Sequence, residues 1–244
     1  MNDVYDTIGL TYSNLRNPDA RIARRIEAAL GDAETVLNVG AGAGSYEPEG
    51  RRITAIEPSI EMIRQRPPSD AVVVQGAAED LPFEDDAFDA SMAVLTIHHW
   101  SDQARGLAEM RRVTRGPIAI LTFDPAYQSF WLADYLPELI AVDDGKMPKL
   151  DAYSGWLGDV EIETVEVPHD CTDGFLGAYW RRPAAYLDPK ARAAISCFWS
   201  IDANAPGLKA LEDDLASGAW ARRYGALLER DAYDVGYRLI HARA

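Results

Sequence analysis

Three glycines that directly follow an apolar run are the feature that most constrains the fold of this chain. The run is TVLNV (35–39), and Gly40, Gly42 and Gly44 come next. Glycine tolerates positive φ and lets a ligand approach the backbone, so this turn is typical of a nucleotide-binding βαβ unit. A second apolar run ends in Glu57, an acid placed to accept hydrogen bonds from both ribose hydroxyls. The pattern predicts a cofactor of the adenosine type; a turn that merely connects two elements is the alternative for the glycines alone.

Apolar runs and helix-length segments alternate along the first half of the chain. The spacing predicts strands at 35–39, 52–57, 71–76, 87–96 and 117–123, and helices at 20–30, 60–66 and 101–114, the last capped by Ser101. Strands separated in this way predict an α/β fold with a doubly wound, mostly parallel sheet that is covered on both faces.

The second half of the chain has a different pattern. Residues 159–168 and 234–242 alternate apolar and polar side chains, which indicates half-exposed strands near a sheet edge. The aromatic-rich segment between them, with helical stretches at 183–200 and 207–230, predicts a helical cap inserted between strands six and seven. The predicted organisation is therefore a helical flap (1–34), a Rossmann-like domain (35–168 and 231–244) and a cap on the substrate side (169–230).

The connection after the glycines lacks the length for a crossover helix. Only SYEPEGRR separates Gly44 from the next apolar run, and Pro48 lies in its middle. A dinucleotide needs a helix N-terminus against its pyrophosphate, and the third small position of its fingerprint is Ser45 here. S-adenosylmethionine has no phosphate, so the loss of the helix costs its binding little. We therefore predict S-adenosylmethionine, and a turn-rich connection over 45–52 with at most one helical turn.

Charge and cysteine content limit the partners. The formal net charge of −15 repels phosphate backbones and anionic membranes, so we expect a small-molecule substrate and neither nucleic acid nor membrane as a partner. The first residues lack the basic and apolar regions of a signal peptide, and Cys171 and Cys197 have no paired spacing. These features predict a cytoplasmic protein, which we expect to be a monomer or a homodimer.

Four motifs in order resemble those of the class I S-adenosylmethionine-dependent methyltransferases. They lie in VLNVGAGAGSYEP, in AIEPSIEMI and in VQGAAEDLPFEDDAFDASMAVLTIHHWSD. The similarity is clear over 35–125 and is greatest to the small-molecule, ubiquinone/menaquinone-methyltransferase-like branch with a methyltransferase type 11 domain. The resemblance implies a Rossmann-like, seven-stranded sheet whose last strand is antiparallel and lies beside strand five. It also implies S-adenosyl-L-methionine as cofactor and S-adenosyl-L-homocysteine as product.

The resemblance further implies which residues border the cofactor: the glycine turn at the methionine half, Glu57 at the ribose, others at the adenine, and Leu95 beside the sulfonium. These residues are Asn38, Gly40, Ala41, Gly42, Gly44, Glu57, Pro58, Met62, Ala78, Glu79 and Leu95. Two positions depart from the family pattern. Asn38 replaces an acid that would face the cofactor's ammonium, and Ala77 replaces an acid that would contact the adenine.

Methyl transfer is a displacement at a sulfonium carbon, so the protein need only orient the nucleophile and, in some reactions, remove its proton. His98 and His99 after strand four, and His169 after strand six, are the candidate catalytic bases. For His98 and His99 the alternative is a helix cap or a packed turn. For His169 the alternative is an ordinary loop contact with its neighbour. The histidines have no metal-ligand spacing, so no metal is predicted.

Candidate substrate contacts come from the predicted flap and cap and from the segment after strand five: Tyr12, Trp131, Tyr135, Trp180 and Arg181. The alternative for the aromatic residues is ordinary packing, and the alternative for Arg181 is a solvated helix start. The sequence thus predicts a methyltransferase for a small-molecule acceptor and leaves open whether O, N or C is methylated. The same fold catalysing a non-methylating reaction, and a degenerate cofactor-binding module without catalysis, are the alternative functions.

Overall fold

The computed structural model describes residues 16–127, 129–139 and 146–243. The strands of the main sheet are β1 Thr35–Val39, β2 Arg52–Glu57, β3 Val72–Gln75, β4 Ala90–Val94, β5 Ile118–Phe123, β6 Val160–Thr164 and β9 Tyr237–Ala242. Their order is β3-β2-β1-β4-β5-β9-β6. The first five strands pair in parallel, and β9 is antiparallel to both of its neighbours. The predicted Rossmann-like sheet with an antiparallel last strand is confirmed.

Helices cover both faces of this sheet. The α-helices are α1 Ala20–Ala29, α2 Ile60–Arg64, α3 Gln103–Val113, α4 Ala152–Leu157, α5 Pro189–Ala193, α6 Pro206–Ser217 and α7 Ala219–Tyr224. Helix α1 buries Ile22 and Ile26 in a core on one face, and α3 buries Leu107 and Met110 in a second core on the other. The central strands are therefore buried on both sides, which explains why they read as continuous apolar runs. Residues 1–15 of the predicted flap lie outside the described residues.

The predicted strand over 159–168 is wrong in its second half. Strand β6 leaves the main sheet after Thr164, and a separate short strand, β7 Val167–Pro168, pairs with β8 Ala232–Tyr233. Proline has no N–H to donate, so β7 cannot extend as an ordinary interior strand. The chain continues from β7 into a loop in which the His169 N–H donates to the Asp231 carbonyl over 2.8 Å.

The helical segment between β6 and β9 is more broken than predicted. It contains α5, α6, α7 and 3₁₀ turns at Leu176–Tyr179, Pro183–Leu187, Ser196–Ser200 and Gly225–Glu229. Prolines restart the helices at 183, 189 and 206, and Gly218 ends α6 with a φ of 74°. Aromatic side chains of this segment, including Trp180, Tyr186 and Trp220, are buried in the same core as α1. The segment and the sheet therefore share one core.

The connection from β1 to β2 contains turns and no helix, as predicted. The N–H groups of Gly40 and Ala41 both donate to the Ile56 carbonyl, over 2.9 and 3.0 Å, which folds the turn back onto β2. Among the described residues, no helix has both the length and the apolar character needed to cross a membrane.

The glycine turn gives the first testable prediction. Gly40 has a φ of +67°, and a Cβ built there would lie 2.1 Å from Thr96 Oγ1, whereas Gly50 has a φ of +75° and nothing within 4 Å. Both Gly→Ala changes incur a left-handed strain of about 1–2 kcal/mol, but only Gly40→Ala adds an overpacking cost of about 1–3 kcal/mol. Denaturant unfolding of the two variants should show this difference. Equal losses of stability would mean that Thr96 does not restrict the turn.

Candidate cofactor site

The strand order reverses between β1 and β4, and ligands of open α/β sheets bind at the carboxyl ends of the strands beside such a point. Gly40 lies there, directly after β1, and Thr96 follows β4 closely. The Gly40 backbone lies so close to the Thr96 side chain that a Cβ on Gly40 would have no room. At the switch point the glycine backbone therefore packs directly against the residues that follow β4.

Glu57, at the end of β2, ties the glycine turn in place. Its carboxylate is buried, with Oε2 accepting from the Gly42 N–H over 2.8 Å and Oε1 accepting from the Ser59 N–H over 3.0 Å. Burial raises the pKa of Glu57, while these two bonds and the Arg66 cation act in the opposite direction. Each carboxylate oxygen can accept two hydrogen bonds, so each has capacity for one more donor.

Leu95 has an unusual backbone conformation at the end of β4. Its φ is +51°, in the left-handed region that a branched side chain rarely adopts, and its N–H donates to the Leu121 carbonyl over 2.9 Å. Such strain costs about 1–3 kcal/mol and is concentrated at functional sites. The strained residue is the one that sequence reasoning placed on the floor of the site.

The residues predicted to border the adenine follow β2 and β3. Met62 is buried, and its Cε lies 3.4 Å from the position that a Cβ on Gly42 would take. Ala78 is buried under Gly106 of α3, whereas Pro58 is exposed. Met62 therefore lies directly against the glycine turn, and Ala78 packs against α3.

Glu79 has a contact that sequence reasoning missed. Its Oε1 accepts from the Ser101 N–H (2.6 Å), the Ser101 hydroxyl (2.8 Å) and the Asp102 N–H (3.1 Å). Burial raises the pKa of Glu79, but these bonds outweigh it and lower the pKa overall. Ser101 is thus not the N-cap of α3, which corrects the prediction. Asp102 caps the helix, accepting from the Arg105 N–H over 3.0 Å.

His98 and His99 lie in a 3₁₀ turn after β4, with ring centroids 3.9 Å apart. Both are half-buried. Burial lowers the pKa of His98 well below its usual value, with the charges of His99 and Lys146 adding to the effect. Burial and Lys146 lower the pKa of His99 to about 4. Both imidazoles are therefore neutral near pH 7, and both are weaker bases than a free imidazole.

His169 lies on a different segment, in the loop after β7. The neighbouring carboxylate, Asp170, pairs with Arg21 of α1 over 2.7 Å, so it is engaged elsewhere than with the His169 ring. The structure thus joins the loop after β7 to the start of α1 and brings only His98 and His99 together.

The predicted substrate contacts occupy different environments. Trp131 and Trp180 are buried in the core, and their indole N–H groups donate to the carbonyls of Trp180 and Val167, over 2.8 and 2.9 Å. The Tyr135 hydroxyl donates to Asp214 of α6 over 2.7 Å. Arg181 is half-buried and donates to the Arg230 carbonyl over 3.1 Å. Tyr12 lies outside the described residues.

Comparison with known proteins identifies the family. A model described as "Methyltransferase domain" matches residues 37–117, from the middle of β1 to the residue before β5. The solved structure of a putative methyltransferase from an antibiotic biosynthesis pathway of Anabaena variabilis is 35% identical. It superposes with a TM-score of 0.87, covering 93% of this chain and 98% of that chain. The chain belongs to the class I S-adenosylmethionine-dependent methyltransferases.

Two curated relatives of this chain are named as methyltransferases of quinone-type compounds. The rice chloroplastic 2-methyl-6-phytyl-1,4-hydroquinone methyltransferase 1 is 26% identical over 195 residues, covering 73% of this chain and 56% of the relative. The demethylmenaquinone methyltransferase of Corynebacterium urealyticum is 31% identical over 125 residues, covering 50% and 54%. The chain thus spans about half the length of these relatives. The predicted family and its quinone-like branch are confirmed.

S-adenosylmethionine is the cofactor of this family, and the prediction of that cofactor is confirmed. The residues present fit it. A buried carboxylate with spare acceptor capacity suits a ribose diol, and an open glycine turn suits a close backbone approach. The connection over 45–52 has no helix to neutralise a pyrophosphate, which S-adenosylmethionine does not need.

A buried network that sequence reasoning missed ties the glycine turn to the loop after β7. The hydroxyl of Tyr46, the second residue after the last glycine of the turn, donates to Asp173 Oδ2 over 2.8 Å, and Arg16 Nε donates to Asp173 Oδ1 over 2.5 Å. Asp19 caps α1 and also accepts from the Thr172 N–H over 3.2 Å. Burial and Asp173 raise the pKa of Tyr46, so it remains a donor. Nothing local in the sequence marks Asp173.

The part of the chain that the structure describes contains no cluster of three or more His, Cys, Asp or Glu side chains that could hold a metal. A surface cleft of about 480 Å³ lies at the amino ends of the strands, lined by Glu34, Arg52 and Asp89 among others. That cleft is at the opposite edge of the sheet from the glycine turn and does not belong to the cofactor site.

The low pKa of His99 predicts how acid affects stability. Its folded pKa of about 4 lies below the unfolded value of 6.5, so the unfolded chain binds more protons between these values. Stability from this group is complete above pH 6.5 and is lost as the pH falls toward 4. The loss between pH 7 and pH 4 should be smaller by about 1–3 kcal/mol in His99→Gln than in the wild type, measured by denaturant unfolding at each pH. Parallel pH profiles would contradict the assignment.

Proposed function

We propose that the chain transfers the methyl group of S-adenosylmethionine to a small-molecule acceptor of the hydroquinone class. The observation that carries the proposal is the buried Glu57 carboxylate bound to Gly42 at the switch point, in a chain of this family. The names of the two curated relatives support the acceptor class. The net charge of −15 supports a small-molecule substrate over nucleic acid, and the buried Cys171 and Cys197, neither of which is in a disulfide, support a cytoplasmic location.

In this proposal Glu57 accepts hydrogen bonds from the two ribose hydroxyls with its remaining acceptor positions. The methionine half lies along the turn, the adenine lies between the segments after β2 and β3, and Leu95 borders the sulfonium. The residues assigned to these contacts are Asn38, Gly40, Ala41, Gly42, Gly44, Pro58, Met62, Ala78 and Glu79. The strain at Leu95 supports its place in the site, because strained residues cluster where ligands are clamped.

Methyl transfer requires little of the protein beyond orienting the acceptor toward the methyl group. When bound, S-adenosylmethionine supplies an electrophilic methyl group and its own leaving group. The chain then has to hold the acceptor in line and exclude water. His98 and His99, neutral at pH 7, lie after β4 and are the candidate acceptors of the substrate's proton, and the lowered pKa of both rings favours positioning of the acceptor over removal of its proton. His169 stays a second candidate base.

The acceptor side is assigned to the helical segment 169–230. It packs on the same core as α1 and is tied to the glycine turn through Asp173 and Tyr46, which supports its place beside the cofactor. Trp131, Tyr135 and Trp180 then form the aromatic support of the acceptor pocket, and Arg181 is its cation. The flap (1–34), the sheet domain and this cap make up the proposed organisation.

Release of S-adenosylhomocysteine tests the function. We expect the full chain to produce it from S-adenosylmethionine when a methylated 1,4-hydroquinone is supplied under reducing conditions. In Glu57→Gln an amide N–H would face a backbone N–H, so KM for S-adenosylmethionine should rise about tenfold or more. Glu49→Gln, on the exposed part of the same connection, is the matched control and should leave KM unchanged. Binding of S-adenosylmethionine without product release from any quinol would refute the proposed transfer and favour a non-methylating reaction.

A further inference from the structure

Three side chains meet beside the glycine turn, whose connection to β2 contains no helix. Asn38 Nδ2 donates to Glu47 Oε1 over 2.9 Å, and Arg66 Nη2 donates to both oxygens of the Glu47 carboxylate over 2.7 and 2.6 Å. Glu47 lies on the connection after the glycines, and Arg66 follows α2. Two segments that a helix would normally separate are therefore joined directly by an ion pair.

The guanidinium of Arg66 lies against the glycine turn itself. A Cβ on Gly44 would be 3.1 Å from the central carbon and from both terminal nitrogens of the guanidinium, so the group faces Gly44 with its flat side. Arg66 Nη1 also lies 3.4 Å from the Gly42 carbonyl oxygen. A full positive charge is thus placed beneath the turn, where a helix N-terminus would supply a partial one.

The negative partner compensates for a departure noted in the sequence. Asn38 stands where the family resemblance implies an acid, and the Glu47 carboxylate lies one hydrogen bond from its amide. Glu47 and Arg66 expose only 12% and 6% of their side chains, so the pair is poorly screened by water. A buried ion pair is weak evidence for a stabilising role, because desolvation offsets much of the attraction. Another role is needed to explain two desolvated charges at the edge of the site.

We propose that Glu47 and Arg66 are the recognition pair for the amino-acid end of the cofactor. The methionine moiety carries a positive α-ammonium and a negative α-carboxylate. In the proposed complex, Glu47 attracts the α-ammonium and Arg66 attracts the α-carboxylate. Glu47 takes over the charge that Asn38 lacks, and Arg66 takes over the cationic role of the missing helix. The inference rests on the proposed function for the identity of the cofactor, and it assigns specificity for the zwitterion to residues of this chain.

Calorimetric titration with two ligands tests the pair. S-adenosylhomocysteine carries the zwitterion, whereas 5′-methylthioadenosine has the same adenosine and thioether without it. In Glu47→Gln and Arg66→Met, Kd for S-adenosylhomocysteine should rise about tenfold or more, and Kd for 5′-methylthioadenosine should stay within about twofold. Equal weakening of both ligands would overturn the proposal, since a merely structural pair would hold the whole turn. Glu49→Gln should change neither constant.

A charge-exchanged double variant, Glu47→Arg with Arg66→Glu, separates recognition from support. This variant keeps an ion pair beside the turn, but the positive and negative charges exchange places. We expect it to bind 5′-methylthioadenosine like the wild type and to bind S-adenosylhomocysteine about tenfold more weakly or worse. Restored binding of S-adenosylhomocysteine would overturn the proposal. Thermal unfolding checks that each variant is folded. If the charge-exchanged variant does not fold, the titrations of the two single variants decide the question. A wild type that binds 5′-methylthioadenosine but not S-adenosylhomocysteine would also overturn the pair, whereas binding of neither would refute the proposed function.

Discussion

The approach of the Gly40 backbone to Thr96 is the constraint on which the site depends. β1 and β4 are neighbours in the sheet, and the chain leaves β1 through a residue that has room for no side chain. The turn is thereby bent back toward β2, where Ile56 and Glu57 accept its first N–H groups. One missing Cβ therefore brings the glycine backbone, the buried carboxylate and the strained end of β4 to the same switch point of the sheet.

Two side-chain contacts hold the connection that lacks a crossover helix. Glu47 and Arg66 join it to the segment after α2. Tyr46 joins it to Asp173 and hence to the loop after β7. A helix would have given the turn a dipole suited to phosphate, whereas the side-chain pairs give it separate charges of both signs. That arrangement suits a zwitterionic, phosphate-free ligand.

The sequence predicted the features that depend on local pattern. Buried parallel strands are continuous apolar runs, and Pro48 with Gly50 leaves no room for a helix, so the sheet and the turn-rich connection were both readable. The break between β6 and β7 was not, because the partner of β7 is the distant strand β8. The N-cap of α3 was misplaced by one residue, since Glu79 binds Ser101 from another segment. Likewise, Tyr46 and Asp173 lie 127 residues apart, and no local pattern marks such a pair.

We expect the glycine turn, which no helix follows, to select a phosphate-free adenosine cofactor. Calorimetric titration of the full chain with S-adenosylmethionine and, in parallel, with NAD⁺ measures this selectivity. S-adenosylmethionine should bind one to one, and the affinity for NAD⁺ should be at least about a hundredfold weaker, since a pyrophosphate would lack the donors it needs. Comparable or tighter binding of NAD⁺ would show that the turn does not select against a pyrophosphate.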